Sequence, residues 1–139
     1  MLNPSGSASY FRMQHAKTGQ VLDSSDDGRA YLQPSNNGYN QIWRWDGTYF
    51  TDLQTGKVLD SDGSGNVYTN GNNGGGNQKW SQVVDSGTSK IKNQGTGRFL
   101  DGDDQAHMLT STSDSLKFPV WNFNNGLSSS FLCRNYSVK

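Results

Sequence analysis

Apolar positions in this chain come in short runs separated by long polar stretches. "QVLDS" (20–24), "KVLDS" (57–61) and "RFLDG" (98–102) each place a β-branched or aromatic residue and a Leu ahead of an acidic position, as short strands do. "RAYLQ" (29–33) and "NVYTN" (66–70) alternate like half-buried strands. The linking "DDG" (26–28) and "DGSG" (62–65) tolerate the positive φ that tight hairpins need. "QIWRW" (41–45) and "QKWSQ" (78–82) predict a further strand each, and "TYFTDL" (48–53) opens the next unit. No window of 11 residues has a helical period, so the pattern predicts an all-β fold.

These elements recur in register. Thr-Gly pairs stand at Thr18-Gly19, Thr55-Gly56 and Thr96-Gly97, giving periods of 37 and 41 residues. Asp23, Asp60 and Asp101 precede Trp43, Trp80 and Trp121 by 20 residues each time. The four extra residues of the longer period must therefore fall within "SQVVDSGTSKIKNQG" (81–95). Four strands per unit and three units give about twelve strands with pseudo-threefold symmetry. A lone unit cannot bury its Leu and Trp, whereas three around an axis can, and closure leaves few strand edges exposed. The units run over about 9–46, 47–85 and 86–123 of a single domain spanning 1–139.

A hydrophobic share of 31% and a mean hydropathy of −0.82 lie near the disordered range. Four Trp, six Tyr and six Phe at zero net charge point instead to a thin but folded core. The scattered basic residues exclude nucleic acid as a partner, because phosphate binding draws on clustered Lys and Arg. No 18-residue apolar run predicts a transmembrane segment. "MLNPSGSASY" (1–10) lacks the order of a secretory signal, and the single cysteine, Cys133, excludes an internal disulfide. The expected location is therefore cytoplasmic, or outside after release without a signal peptide. The sequon at Asn135 matters only for a secreted chain. His15 and His107 have no partner at metal spacing, Asp103-Asp104 reads as an acidic turn, and no nucleophile motif or phosphate loop is present. We expect no cofactor, no metal and no enzymatic activity.

The units also carry Gln41-Ile42-Trp43 and Gln78-Lys79-Trp80, which become Pro119-Val120-Trp121 in the third. This set resembles the ricin B-type (Gln-x-Trp) β-trefoil lectins over residues 9 to 123. Short mannose-binding members of that family match repeat two closely, through Leu59-Asp60-Ser61, Val67-Tyr68-Thr69, Asn73-Gly74-Gly75 and the Gln-x-Trp. The resemblance implies a β-trefoil that binds glycans of glycoproteins or glycolipids. It makes the Asp after the Leu the anchoring ligand, at Asp23 and Asp60. It adds Tyr31 and Tyr68 eight positions later, Asn36 and Asn73 thirteen later, and Gln33 and Asn70 near the rim.

The residue types suit sugars. A carboxylate accepts from neighbouring hydroxyls, a carboxamide donates and accepts, and an aromatic face covers the C–H side of a ring. The Gly- and Asn-rich loop at 70–77 then forms one wall of an open pocket. We expect Asp23 and Asp60 to present their carboxylates outward, Gln41 and Gln78 to support the loops, and the Trp to lie in the core. Asn40 and Asn77, directly before the Gln, resemble galactose-binding pockets and favour galactose or N-acetylgalactosamine, whereas the repeat spacing favours mannose. The same chemistry would serve a non-catalytic module of a glycosidase or toxin. Repeat three departs through Ala106, Leu109, Asp114, Phe118 and Pro119, so its Asp101 pocket is expected to be weak. The tail "SSFLCRN" (129–135) resembles the first-strand sequences, which predicts an additional strand within 124–139 that extends the barrel or pairs a homodimer.

Overall fold

The computed structural model describes residues 9–85, 88–103, 105, 107–111 and 121–124. Twelve strands are present among them: β1 (Ser9–His15), β2 (Val21–Ser24), β3 (Ala30–Gln33), β4 (Trp43–Trp45), β5 (Phe50–Asp52), β6 (Val58–Ser61), β7 (Val67–Asn70), β8 (Trp80–Asp85), β9 (Thr88–Asn93), β10 (Phe99–Gly102), β11 (Met108–Ser111) and β12 (Trp121–Asn124). Asn124 thus closes the third unit. The rest of the predicted tail strand, with Cys133 and Asn135, lies outside the described residues, as do Ala106, Asp114, Phe118 and Pro119.

All pairing is antiparallel. One sheet runs β3-β2-β1-β4-β5-β6-β7 with β12 also on β1, and the other runs β11-β10-β9-β8. β1 pairs with three strands, with Phe11 opposite Trp43 on β4, Gln14 opposite Val21 on β2 and His15 opposite Trp121 on β12. The hairpins β2–β3, β6–β7 and β10–β11 repeat one register, in which Asp23 faces Tyr31, Asp60 faces Tyr68 and Asp101 faces Leu109. The fold is a β-trefoil. Trp43 pairs with Asp52 nine residues on, while Trp80 pairs with Asn93 thirteen on. The four extra residues therefore lengthen the β8–β9 hairpin and leave the unit undisturbed.

The core is built in threefold sets. Met13, Phe50 and Ile91 occupy equivalent positions with no exposed surface, as do Leu22, Leu59 and Leu100. Trp43, Trp80 and Trp121 lie among them, and each indole N–H donates to the carbonyl of one of those leucines at 3.0–3.1 Å. That bond satisfies the only polar atom of a buried Trp and fixes its ring.

The three hairpins close on one another around the axis. Arg29 bridges to Tyr68, Asn66 to Leu109 and His107 to Tyr31, so the same turn position always meets the next hairpin's second strand. Gly28 O accepts from Thr69 N at 2.8 Å and Gly65 O from Thr110 N at 2.9 Å. Both glycines have φ near +95° (94° and 99°), and a Cβ on either would lie 3.0–3.2 Å from the neighbouring carbonyl. Only glycine fits such a contact without strain.

The Gln-x-Trp segments differ from the expected strands. Tyr39–Gln41 and Gly76–Gln78 form 3-10 turns, and the strands begin at the Trp. The glutamines are buried at the turn ends, where side-chain bonding to a neighbouring loop displaces ladder pairing. No helix among the described residues is long and apolar enough to cross a membrane.

Candidate functional site

In repeat one the buried Gln41 ties a loop to a strand. Its Nε2 donates to Asp23 Oδ2 at 3.1 Å and to Pro34 O at 3.0 Å, while its Oε1 accepts from Asn36 N at 2.9 Å. Gln78 repeats this in repeat two with Asp60, Gly71 O and Asn73 N at 2.9–3.0 Å. The expected supporting role of these glutamines is thus realised by three bonds in each repeat.

The acidic residues sit deeper than expected. Asp23 is 2% exposed, and Asp60 and Asp101 are 6% exposed. Asp23 Oδ1 accepts from Asn40 Nδ2 at 2.6 Å and Oδ2 from Gln41, so both oxygens are already engaged. Burial raises the Asp23 pKa above the ordinary carboxylate value, opposed by the bonds from Gln41, Ser24 N and Asn40. Asp60 accepts from Ser61 N at 2.8 Å, Gln78 at 3.0 Å and Asn70 Nδ2 at 3.3 Å. The outward-facing carboxylates of the sequence reading are therefore corrected to inward ones. Side-chain amides 10 to 18 residues away in sequence cover them.

The other candidates divide by repeat. Asn40 holds Asp23 and Ser24 O in repeat one, whereas in repeat two Asn70 takes the acid and Asn77 is exposed, its carbonyl accepting from Asn93 Nδ2 at 2.7 Å. Gln33, the counterpart of Asn70, is exposed at the end of β3. Asn36 and Asn73 are turn residues as well: each Oδ1 accepts the N–H two positions on, at 2.8 Å, leaving the amide hydrogens for a ligand. Tyr31 and Tyr68 are half-buried on the same face as Asp23 and Asp60. Burial first, and then the facing carboxylate, raises both phenol pKa values, so each hydroxyl stays a donor at neutral pH.

Above Asp23 lies an open cleft of about 400 Å³, lined by Ser24, Asp26, Tyr31, Tyr39, Asn40 and Gln54 among others. A Cβ on Gly38 would sit 2.6 Å from Asn40 Oδ1 and 2.8 Å from Asn36 Oδ1, so the loop backbone comes close because this residue has no side chain. With its Nδ2 engaged, Asn40 has its Oδ1 as acceptor, beside the Tyr31 donor and the Asp26 and Gln54 side chains. A ring bearing several hydroxyls matches such a mixture.

In repeat three Asp101 accepts from Gly102 N at 2.7 Å and lies 3.3 Å from His15 Nε2. Half-buried Leu109 stands where the other repeats have tyrosine. Asp103 is held by its own turn, accepting from Gln105 N and His107 N at 2.8–2.9 Å; Asp104 lies outside the described residues.

The sequence reading missed one position. His15, Asp52 and Asn93 each stand three residues before the Thr of a Thr-Gly pair, each with no exposed surface. Each also reaches into the preceding repeat around the axis. His15 meets Asp101, Asn93 meets Asn77, and Asp52 lies beside Ser24 and Asp23. Burial pushes the Asp52 carboxyl up to about 7, with the Asp23 charge adding to it and the N–H groups of Thr55 and Gln54 opposing it. The fixed offset of a polar residue before Thr-Gly was the available signal.

No protein-family model and no curated protein matches the chain. Solved structures do. The chain is similar to a designed 3-fold symmetric protein, ThreeFoil, at 26% identity and a TM-score of 0.74, covering 83% of this chain and 97% of that one. It is similar to the hemolytic lectin CEL-III at 24% identity and a TM-score of 0.72, covering 82% of this chain but 29% of that one. SeviL, solved bound to asialo-GM1 saccharide, matches at 14% identity and a TM-score of 0.70, covering 87% and 100% of the two chains. These likenesses establish the β-trefoil.

Proposed function

We propose that the chain is a carbohydrate-binding protein with sites on repeats one and two. The observation that carries this is the cleft over Asp23, where a buried acid fixes Asn40 beside Tyr31 and an asparagine loop held by Gln41. The acid acts from below. By accepting from Asn40 it orients that carboxamide, whose oxygen meets a sugar hydroxyl, while Tyr31 supplies a donor and a ring face. The resemblance to SeviL and CEL-III, named for a bound saccharide and as a lectin, supports a glycan ligand over the catalytic and protein-binding uses of this fold.

The ligand we favour is terminal galactose or N-acetylgalactosamine on glycoproteins or glycolipids, because Asn40 lies in the cleft and is bonded to the acid. Mannose is the second reading, favoured by repeat spacing. A single site of this openness would bind at about millimolar strength, near 4 kcal/mol. Two sites on one domain raise avidity on a dense glycan surface by about a hundredfold or more.

The test is a glycan array read with wild type, Asn40→Ala, Tyr68→Ala and the double variant. These spare the buried acids, whose removal would unsettle the loops. Each single variant should lose avidity and the double should lose binding. Silence of the wild-type protein on galactosides and mannosides alike would refute the proposal.

A further inference from the structure

A second cleft, of about 340 Å³, opens where hairpins β2–β3 and β6–β7 meet beside the threefold axis. Its lining includes Tyr31, Val67, Tyr68, Arg29 and His107. Tyr31 also lines the cleft over Asp23, so the two clefts share this residue. On the far side stands Tyr68, held close because its backbone bridges to Arg29. The cleft thus lies between the two tyrosine-bearing hairpins. On the rim, Arg29 Nε meets both Asp27 oxygens at 3.1–3.2 Å, and His107 Nδ1 lies 3.0 Å from Asp103.

We propose that this axial cleft is a second subsite, taking the neutral pyranose ring adjacent to the one held over Asp23, so that the protein reads an oligosaccharide of at least two rings. This rests on the carbohydrate reading above. Two tyrosines and the aliphatic wall of Ala30 and Val67 suit the C–H face of a sugar. The carboxylates of Asp27 and Asp103 on the rim disfavour an acidic sugar by like-charge repulsion. The feature is asymmetric, since Leu109 replaces tyrosine in hairpin β10–β11.

The test is NMR titration of the isotope-labelled full chain with galactose, N-acetylgalactosamine and mannose, then with di- and trisaccharides ending in each. Monosaccharides should shift the amides of Ser24, Tyr31 and Asn40. Oligosaccharides should also shift Gly28, Arg29 and His107 and bind at least tenfold tighter. His107→Trp, which lays an indole over the cleft, should return the oligosaccharide to monosaccharide affinity. Shifts at Tyr31 and Asn40 without any at Arg29 and His107, or oligosaccharides no tighter than monosaccharides, would overturn this subsite alone. No shift at Tyr31 and Asn40 with any sugar would overturn the carbohydrate reading, and the subsite with it.

Discussion

Asp52→Asn should make the protein more stable at alkaline pH and flatten its pH dependence. Asp52 has no exposed surface, and its Oδ1 accepts from Gln54 N and Thr55 N at 2.9–3.0 Å. Its Oδ2 and the nearby Ser24 Oγ are buried without a full hydrogen bond, which is why burial dominates and its pKa reaches about 7. The unfolded chain titrates near 3.9, so between about pH 4 and 7 the folded state holds a proton the unfolded state has released. Stability from this group is complete below about pH 4 and is lost as pH rises to about 7. The full difference is worth about 4 kcal/mol at 1.36 kcal/mol per pKa unit, an upper bound.

Repeat three supplies the control for the substitution. There Asn93 Oδ1 accepts the equivalent Gly95 and Thr96 N–H groups at 3.0 Å, and its Nδ2 reaches the neighbouring loop carbonyl. An amide therefore fits the site without a charge to desolvate. Unfolding free energies from urea titrations at pH 5 and pH 8 should differ by at least about 1 kcal/mol more in wild type than in Asp52→Asn. A wild-type midpoint that does not fall between those pH values, or a variant that follows wild type at both, would refute the reasoning.

Trp80→Phe should strand Leu59 O and leave a cavity where the indole was, the lost bond alone costing about 1–3 kcal/mol in urea unfolding; an unchanged midpoint would mean the indole bond contributes nothing. Gly65→Ala should lower the melting temperature more than Gly56→Ala, although both have positive φ, because only at Gly65 would a Cβ meet Arg98 and Thr110 O; the strain common to both is about 1–3 kcal/mol. Gln41→Leu should speed hydrogen exchange at the Asn36 amide and weaken sugar binding at repeat one. Protection of the β2–β3 ladder should be retained, and equal loss in both places would point to general unfolding instead.

The trefoil was legible because its landmarks repeat: the Asp-to-Trp offset, the Thr-Gly pairs and the buried Leu and Trp depend on spacing within one unit. The four-residue extension was legible for the same reason, and the structure places it in β8–β9. Burial of Asp23 and Asp60 was not. An acid after a Leu in an alternating strand reads as outward-facing, and its inward position depends on amides from a loop 17 or 18 residues away in sequence. The 3-10 turns at Gln41 and Gln78 escaped for a related reason, since hydrophobic pattern carries no record of a side chain that bonds a remote carbonyl. His15, Asp52 and Asn93 were least visible, because their partners belong to another repeat.

Tandem duplication ordinarily leaves each copy free to drift by itself. In this molecule a buried residue of each copy is lodged against a different copy, as imidazole beside Asp101, carboxyl beside Asp23 and carboxamide on Asn77 O. Altering one lobe's turn therefore disturbs the loop of its neighbour, and the three lobes stand as a ring of dependents rather than as three independent units.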